Sequence, residues 1–144
     1  MKNITCIDDL LQLARRRVPR AFFDYADSGS YQEETLRANR ADLEAIKLRQ
    51  RILVDVSQRS LATTVIGQKL SSPMILAPVG LCGMQHGDGE ILSALAANAA
   101  GIPFTLSTMS ICSIEDVAEA TGKPFWFQLY VIRDRDFSKD ILAR

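Results

Sequence analysis

Two polar side chains stand close together near the carboxyl end of the apolar run Phe125–Val131. Gln128 and Tyr130 are two residues apart, so on a β-strand both point to the same face. A carboxamide and a phenol can each donate and accept hydrogen bonds, which suits a polar heterocycle beside a small oxyanion. The spacing is equally compatible with a structural interpretation, in which the two side chains end the strand and bond a loop.

A second candidate segment ends another apolar run, Met74–Ala77. Here Pro78, Val79 and Gly80 form a stiff turn of small residues, where the backbone could approach a flat ligand closely. An ordinary exit from a strand into a loop explains the same residues. Ser107 ends a third apolar run and adds a polar group at a strand end.

The remaining reactive residue types are sparse. His86 is the one histidine of the sequence and precedes a predicted helix, which is typical of a solvated loop residue rather than a catalyst. The three cysteines, Cys6, Cys82 and Cys112, are far apart, and we expect buried, unreactive thiols in a reducing compartment. No Ser-His-Asp set and no metal-ligand cluster is predicted.

Composition narrows the class of protein. The 144 residues carry 17 basic and 17 acidic side chains, and 47% are hydrophobic, as in a soluble globular domain. The balanced charge argues against nucleic-acid binding. No apolar run reaches the roughly 18 residues that a membrane span needs. Because Asp8 and Asp9 precede any apolar stretch, we expect no signal peptide and a cytoplasmic location.

Apolar runs alternate with helical patterns from Ser71 onward. The order predicted is strand, helix, strand, helix, strand and a last helix, which is typical of a parallel sheet in an α/β fold. The predicted strands are 74–77, 103–107 and 125–131, and the predicted helices are 88–100, 113–120 and 134–144.

Residues 1–70 show a different pattern, with short helices and most of the arginines. The first helix begins near Cys6 and ends before Pro19, and it is followed by helices over 20–27 and 33–46. Residues 63–70 are predicted to form a β-hairpin with Gly67 at its turn.

The residues at the strand ends predict which α/β architecture the chain adopts. The glycines at 80, 83, 87 and 89 do not form G-x-G-x-x-G, and a phosphate-binding P-loop pattern is missing. Polar residues at the strand ends suit a (β/α)₈ TIM barrel, which needs about 250 residues. We therefore predict an incomplete barrel, in which residues 1–70 are N-terminal helices and a hairpin and residues 71–144 hold about the first three βα units.

Five blocks of sequence occur in the same order as in the FMN-dependent α-hydroxy-acid dehydrogenases. Together they make essentially the whole chain resemble the N-terminal part of a member of that family. The blocks are Phe22–Gly29, Leu48–Leu53, Leu76–Met84, Gly101–Thr108 and Trp126–Val131.

The resemblance implies roles for seven residues. Tyr25 matches the tyrosine that binds the substrate carboxylate, and Tyr130 matches the one whose hydroxyl meets the substrate near its reacting carbon. Ser107 and Gln128 match residues that hydrogen-bond the flavin ring. The segment whose backbone lies against the ring is matched by Pro78, Val79 and Gly80.

The implied activity is oxidation of L-lactate to pyruvate with FMN as cofactor and a quinone or another acceptor for the electrons. Residues 80–84 are most similar to the lactate-oxidising branch, with mandelate and glycolate as alternative substrates. The resemblance also implies peripheral association with the inner face of the cell membrane.

The family's general-base histidine, together with its carboxylate-binding arginine and its flavin-proximal lysine, has no counterpart in the sequence. His86 does not match the base, so no catalytic residue is assigned, and we expect the chain to be inactive alone. It would self-associate or pair with the missing C-terminal half. A non-catalytic remnant that docks on an intact homologue is the alternative of a different class.

Overall fold

The computed structural model describes residues 4–144, which form two compact units, one up to Arg59 and one from Ser60 to Arg144. The first unit is helical. Its three helices are α1 (Ile7–Arg17), α2 (Arg20–Asp27) and α3 (Glu34–Ala45), all close to their predicted bounds.

Capping explains where α1 begins. The side chain of Asp9 accepts hydrogen bonds from the backbone N–H groups of Thr5, at 2.9 Å, and Cys6, at 3.3 Å. Cys6 is therefore the N-cap and is exposed, which makes the prediction of a buried thiol wrong for this cysteine. An ion pair between Asp8 and Arg40, at 2.6 Å, connects α1 to α3.

The second unit begins with the predicted hairpin, which is confirmed. Strands β1 (Thr63–Val65) and β2 (Gln68–Leu70) pair antiparallel, and Ile66 and Gly67 form the two-residue turn. Both turn residues have positive φ, +49° and +76° respectively, as a type I′ turn requires. A β-branched residue rarely adopts this conformation, so Ile66 holds local strain.

Replacing Ile66 with Asn is expected to raise the free energy of unfolding by about 1 kcal/mol, because Asn tolerates the left-handed conformation. Gly67→Ala is the matched comparison. No atom lies within 4 Å of where its Cβ would stand, so the expected loss of about 1 kcal/mol has a purely conformational cause. Urea unfolding measures both changes, and equal stabilities for the three proteins would contradict the assigned turn.

Helices and short parallel strands alternate through the rest of this unit. The elements are α4 (Cys82–Gln85), α5 (Gly89–Ala100), β3 (Thr105–Ser107), α6 (Ile114–Thr121), β4 (Trp126–Gln128) and α7 (Arg135–Ala143). Four of the six were predicted within a few residues at each end. The short helix α4 was not predicted, and β4 is shorter than its predicted run.

The sheet is parallel, as predicted. Strand β3 pairs with β4 in the register Thr105↔Trp126 to Ser107↔Gln128, and Leu76 forms a single parallel bridge to Phe104 on the other side of β3. The strand predicted over 74–77 is thus reduced to one bridge. Strand β4 ends at Gln128, not at Val131, because its ladder to β3 ends there.

The core of the second unit lies between β3 and the helices α5 and α6. Leu106 is fully buried, Val117 packs with it, and the rings of Phe104 and Phe125 lie 6.3 Å apart. Helix α6 begins at a capping box in which Ser113 accepts a hydrogen bond from the backbone of Asp116 at 3.0 Å. Helix α5 ends at Ala100 and is capped by Gly101, whose φ is +68°.

None of the helices within residues 4–144 combines the length and the apolar character needed to cross a lipid bilayer.

Candidate functional site

The polar residues singled out in the second unit come to one edge of its sheet. The Leu76 segment, β3 and β4 run parallel, so their carboxyl ends lie side by side. These ends carry Pro78, Val79 and Gly80, then Ser107, then Gln128 and Tyr130. The structure therefore brings together six of the seven predicted site residues.

Ser107 and Gln128 are neighbours in the sheet register and are hydrogen-bonded. The hydroxyl of Ser107 donates to the side-chain oxygen of Gln128 at 3.3 Å and accepts from the backbone N–H of Met109 at 3.1 Å. Ser107 is buried, whereas Gln128 is half-buried. The bond fixes the orientation of the Gln128 carboxamide, so its NH₂ group is free to donate to a bound ligand.

Thr108 is a site residue that sequence reasoning missed. Its hydroxyl donates to the backbone oxygen of Gln128 at 2.5 Å and accepts from the backbone N–H of Tyr130 at 3.0 Å. Its backbone N–H also donates to the oxygen of Gln128, at 3.1 Å. Thr108 thus holds the chain beyond β4 in place after the ladder has ended. A hydroxyl residue following a buried strand is the only signal for this role in the sequence.

The turn after Leu76 lies against the turn after β3. The N–H of Leu81 donates to the oxygen of Met109 at 2.8 Å, and a Cβ on Gly80 would stand 3.3 Å from Cβ of Met109. Glycine therefore allows the close approach of the two turns. Pro78, Val79 and Gly80 are themselves exposed, so their backbone is accessible to a ligand.

The two tyrosines belong to different units. Tyr130 follows β4 in the second unit, and its side chain is 55% exposed. Tyr25 lies in α2 of the first unit and is 69% exposed. Both phenols can reach a ligand from solvent.

A buried carboxylate lies directly behind the strand ends. Glu90, in the first turn of α5, is 2% exposed, and its Oε1 accepts from the N–H groups of Gly83, at 3.1 Å, and Ile111, at 2.9 Å. Burial acts to raise the pKa of this carboxyl, but the backbone amides outweigh burial and hold the pKa below its ordinary value. Sequence reasoning missed Glu90, because an acidic residue in a first helical turn usually faces solvent.

The lowered pKa of Glu90 predicts a pH-dependent contribution to stability. Because the folded-state pKa lies below the unfolded value of about 4.3, the contribution is complete above that value and is lost as pH falls through the folded pKa. We expect Glu90→Gln to lower the free energy of unfolding at neutral pH, with a difference from wild type that shrinks on acidification.

Urea unfolding between about pH 7 and pH 3 measures that difference. Glu119→Gln, at an exposed position of α6, is the control and should stay close to wild type throughout. A Glu90→Gln difference that grows on acidification would contradict the assigned ionised carboxylate.

The other titratable candidates lie outside the strand-end cluster. His86 is exposed in the loop before α5, and its Nδ1 donates to the oxygen of Gly87 at 2.7 Å. Burial raises the pKa of the Cys82 thiol, with a further rise from the Glu90 carboxylate. Burial and the same carboxylate raise the pKa of the Cys112 thiol. Both thiols are therefore held in the protonated, unreactive form.

The strand-end cluster suits a flat, polar ligand. It offers a fixed carboxamide, accessible backbone at a glycine turn and a solvent-facing phenol along one edge of three parallel strand segments. In barrels built from parallel strands, ligands bind at this carboxyl edge. The donor set matches a planar heterocycle with alternating donor and acceptor atoms.

Comparison with known proteins gives a consistent result. A family model described as FMN-dependent dehydrogenase matches residues 14–144. The L-lactate dehydrogenases of two Haemophilus influenzae strains, PittEE and KW20/Rd, are each 55% identical over 141 residues. The match covers 98% of this chain and 37% of each relative, so the chain spans little more than a third of their length.

Solved structures show the same partial coverage. A soluble mutant of the membrane-associated (S)-mandelate dehydrogenase from Pseudomonas putida is 38% identical with a TM-score of 0.90, covering 98% of this chain and 40% of that one. A mandelate oxidase is 37% identical with a TM-score of 0.89, covering 99% and 41%. A monotopic membrane (S)-mandelate dehydrogenase is 37% identical with a TM-score of 0.90, covering 99% and 38%.

Proposed function

The chain belongs to the FMN-dependent dehydrogenase family, and from that premise we propose that it provides flavin-ring and substrate contacts for the oxidation of L-lactate to pyruvate. The observation that carries the proposal is the hydrogen-bonded pair of Ser107 and Gln128 at the carboxyl edge of parallel strands. The 55% identity to L-lactate dehydrogenases favours lactate over mandelate, for which the similar structures are 37–38% identical.

Residues 71–144 then form about the first three βα units of a TIM barrel, preceded by the helices and hairpin of residues 1–70. Two observations support this placement. The strand segments are parallel and alternate with helices, and Trp126, at the start of β4, donates from its indole N–H to Gln68 of the hairpin at 3.0 Å. The hairpin thus covers the amino end of the strand, opposite the site.

The residues at the carboxyl edge fit the isoalloxazine ring of FMN. Gln128 is held by Ser107 so that its carboxamide can bond ring heteroatoms, and the backbone at Gly80 can lie along the ring. When bound, FMN accepts the two electrons that leave a 2-hydroxy acid as it becomes a 2-oxo acid. The protein's part is to hold ring and substrate in position.

Two residues are proposed to meet the substrate. The phenol of Tyr25 binds the lactate carboxylate, and the phenol of Tyr130 donates a hydrogen bond near the carbon that reacts. Both side chains are exposed, so their hydroxyls are accessible to a substrate. The proton on the 2-hydroxyl needs a base, and we assign that role to no residue within 4–144. We therefore propose that turnover requires the part of a family member that this chain does not span.

In this proposal the electrons pass from the flavin to a quinone or another acceptor. The complete protein is also proposed to associate peripherally with the inner face of the cell membrane. The support for membrane association is the similarity to a monotopic membrane protein.

Flavin binding tests the proposal directly. We expect the chain alone to bind FMN weakly or not at all, because TIM barrels bind phosphate in loops after strands 7 and 8, whereas residues 4–144 hold three parallel strand segments. Co-expression with the remaining part of the Haemophilus influenzae relative should give a complex that retains FMN.

In that complex, Gln128→Leu should weaken FMN binding about tenfold, the loss of roughly one hydrogen bond. Gln58→Leu, at an exposed position of the first unit, is the matched control. Flavin fluorescence measures both affinities. Equal affinities for the two variants would contradict the proposed contacts, and stoichiometric FMN on the chain alone would contradict the expectation that the isolated chain binds FMN weakly.

A further inference from the structure

We propose that Glu90 is a positioning residue, whose buried carboxylate fixes the turn at Gly80 and the strand end at Ser107 for the flavin ring. The inference rests on the proposed function for the identity of the ligand. The connection itself rests only on contacts within the second unit.

The carboxylate joins two connections that follow neighbouring strands. Oε1 of Glu90 accepts from Gly83, in the short helix α4 within the loop after the Leu76 segment, and from Ile111, in the loop after β3. The two bonds, at 3.1 and 2.9 Å, run to backbone N–H groups that lie 28 residues apart in the chain (111 − 83). Bonds to an ionised acceptor are about twice as strong as neutral ones.

Two glycines make this arrangement possible. A Cβ on Gly83 would lie 2.7 Å from Cβ of Ile111, and a Cβ on Gly89 would lie 2.9 Å from the backbone oxygen of Cys82. Both distances are too short for any side chain. The loops and the start of α5 therefore approach one another closely enough for a single carboxylate to reach both amides.

A second hydrogen bond joins the same two loops closer to the strand ends. The N–H of Leu81 donates to the backbone oxygen of Met109 at 2.8 Å. Leu81 adjoins Gly80, and the N–H of Met109 donates to the hydroxyl of Ser107. Each loop is thus fixed within three residues of a predicted flavin contact.

The backbone at Leu81 needs such support. Its φ of +56° lies in the left-handed region, where a branched side chain costs about 1–2 kcal/mol. Strained backbone of this kind persists only where surrounding contacts over-determine it. The hydrogen bond from the Leu81 N–H to Met109 and the hydrogen bond from the Gly83 N–H to Glu90, two residues later, supply those contacts.

Glu115 is a matched control for the simpler possibility that Glu90 acts only as an acidic residue at the start of its helix. Like Glu90, it is the second residue of its helix, so both carboxylates stand at the same position relative to the helix dipole. Glu115 is exposed and pairs with Arg144 instead of a loop. A change seen in Glu90 variants but not in Glu115→Gln therefore reports the loop connection.

Amide hydrogen exchange on the 144-residue chain tests the connection without flavin. In Glu90→Ala, exchange at Gly83 and Ile111 should accelerate at least about tenfold more than exchange in the β1–β2 hairpin. Glu90→Gln, which keeps one acceptor oxygen, should show a smaller acceleration at the same two amides, and Glu115→Gln none. Unchanged protection at Gly83 and Ile111, or an equal acceleration at all amides, would overturn the proposal.

The co-expressed complex with bound FMN tests the positioning role. Glu90→Gln should weaken FMN binding at least about tenfold and shift the flavin absorption bands, whereas Glu115→Gln should change neither. If Glu90→Gln accelerated amide exchange at Gly83 but left the FMN affinity and the flavin spectrum unchanged, the proposed positioning role would be overturned. A wild-type complex without FMN would instead contradict the proposed function, and the exchange experiment would still decide the loop connection.

Discussion

Tyr130→Phe, in the complex of this chain with the remaining part of a lactate dehydrogenase, is expected to lower kcat for L-lactate about a hundredfold. KM should stay within about threefold of wild type. The reason is that the phenol donates near the carbon that reacts, where charge changes most between ground state and transition state. The Thr108 hydroxyl, itself bonded to the backbone oxygen of Gln128, holds the backbone N–H of Tyr130, so the deleted hydroxyl is the main change.

Tyr25→Phe provides the contrast. Its hydroxyl is proposed to bind the carboxylate, which carries the same charge throughout the reaction, so KM should rise about tenfold with kcat little changed. His86→Ala should alter neither constant by more than about twofold. Steady-state dye reduction at saturating and limiting lactate measures all three. A loss of activity in His86→Ala at full flavin content would show that the proposed site is wrong.

The element order could be predicted from sequence because local signals mark it strongly. Helix α2 follows Pro19 and occupies its predicted range. The N-cap of α6 is Ser113, whose hydroxyl forms a capping box with the acidic residue three positions later. The hairpin turn was predicted from Gly67. Each of these signals lies within a few residues of the feature that it marks.

The strand ends could be predicted only in part, because they depend on a partner strand. The apolar run 125–131 gives no sign of where the ladder to β3 ends, and the end is set by Ser107, 21 residues earlier (128 − 107). Thr108 then binds the chain beyond Gln128 through two contacts that no local pattern shows.

Glu90 shows the same limit for the site. Its burial results from the close approach of the start of α5, at Gly89, to the loops that hold Gly83 and Ile111, and neither glycine forms a recognised motif. The helical pattern alone places an acidic residue at this position in solvent. Glu90 is buried because of contacts between segments that are distant in the sequence, and no local pattern indicates those contacts.

Flavin reduction by substrate under anaerobic conditions is the most direct test of the central claim, that this chain supplies ring and substrate contacts for L-lactate oxidation. The experiment compares the chain alone, the remaining part of the relative alone, and the co-expressed complex, each supplied with FMN. L-lactate is the substrate, with D-lactate, mandelate and glycolate as comparisons.

We expect bleaching of the flavin absorption in the complex with L-lactate and formation of one pyruvate per flavin, because the reaction transfers two electrons. Neither part alone should react, and D-lactate, mandelate and glycolate should bleach the flavin more slowly. A complex that forms and binds FMN but is not reduced by any of these acids would contradict the claim and favour a non-catalytic interaction module.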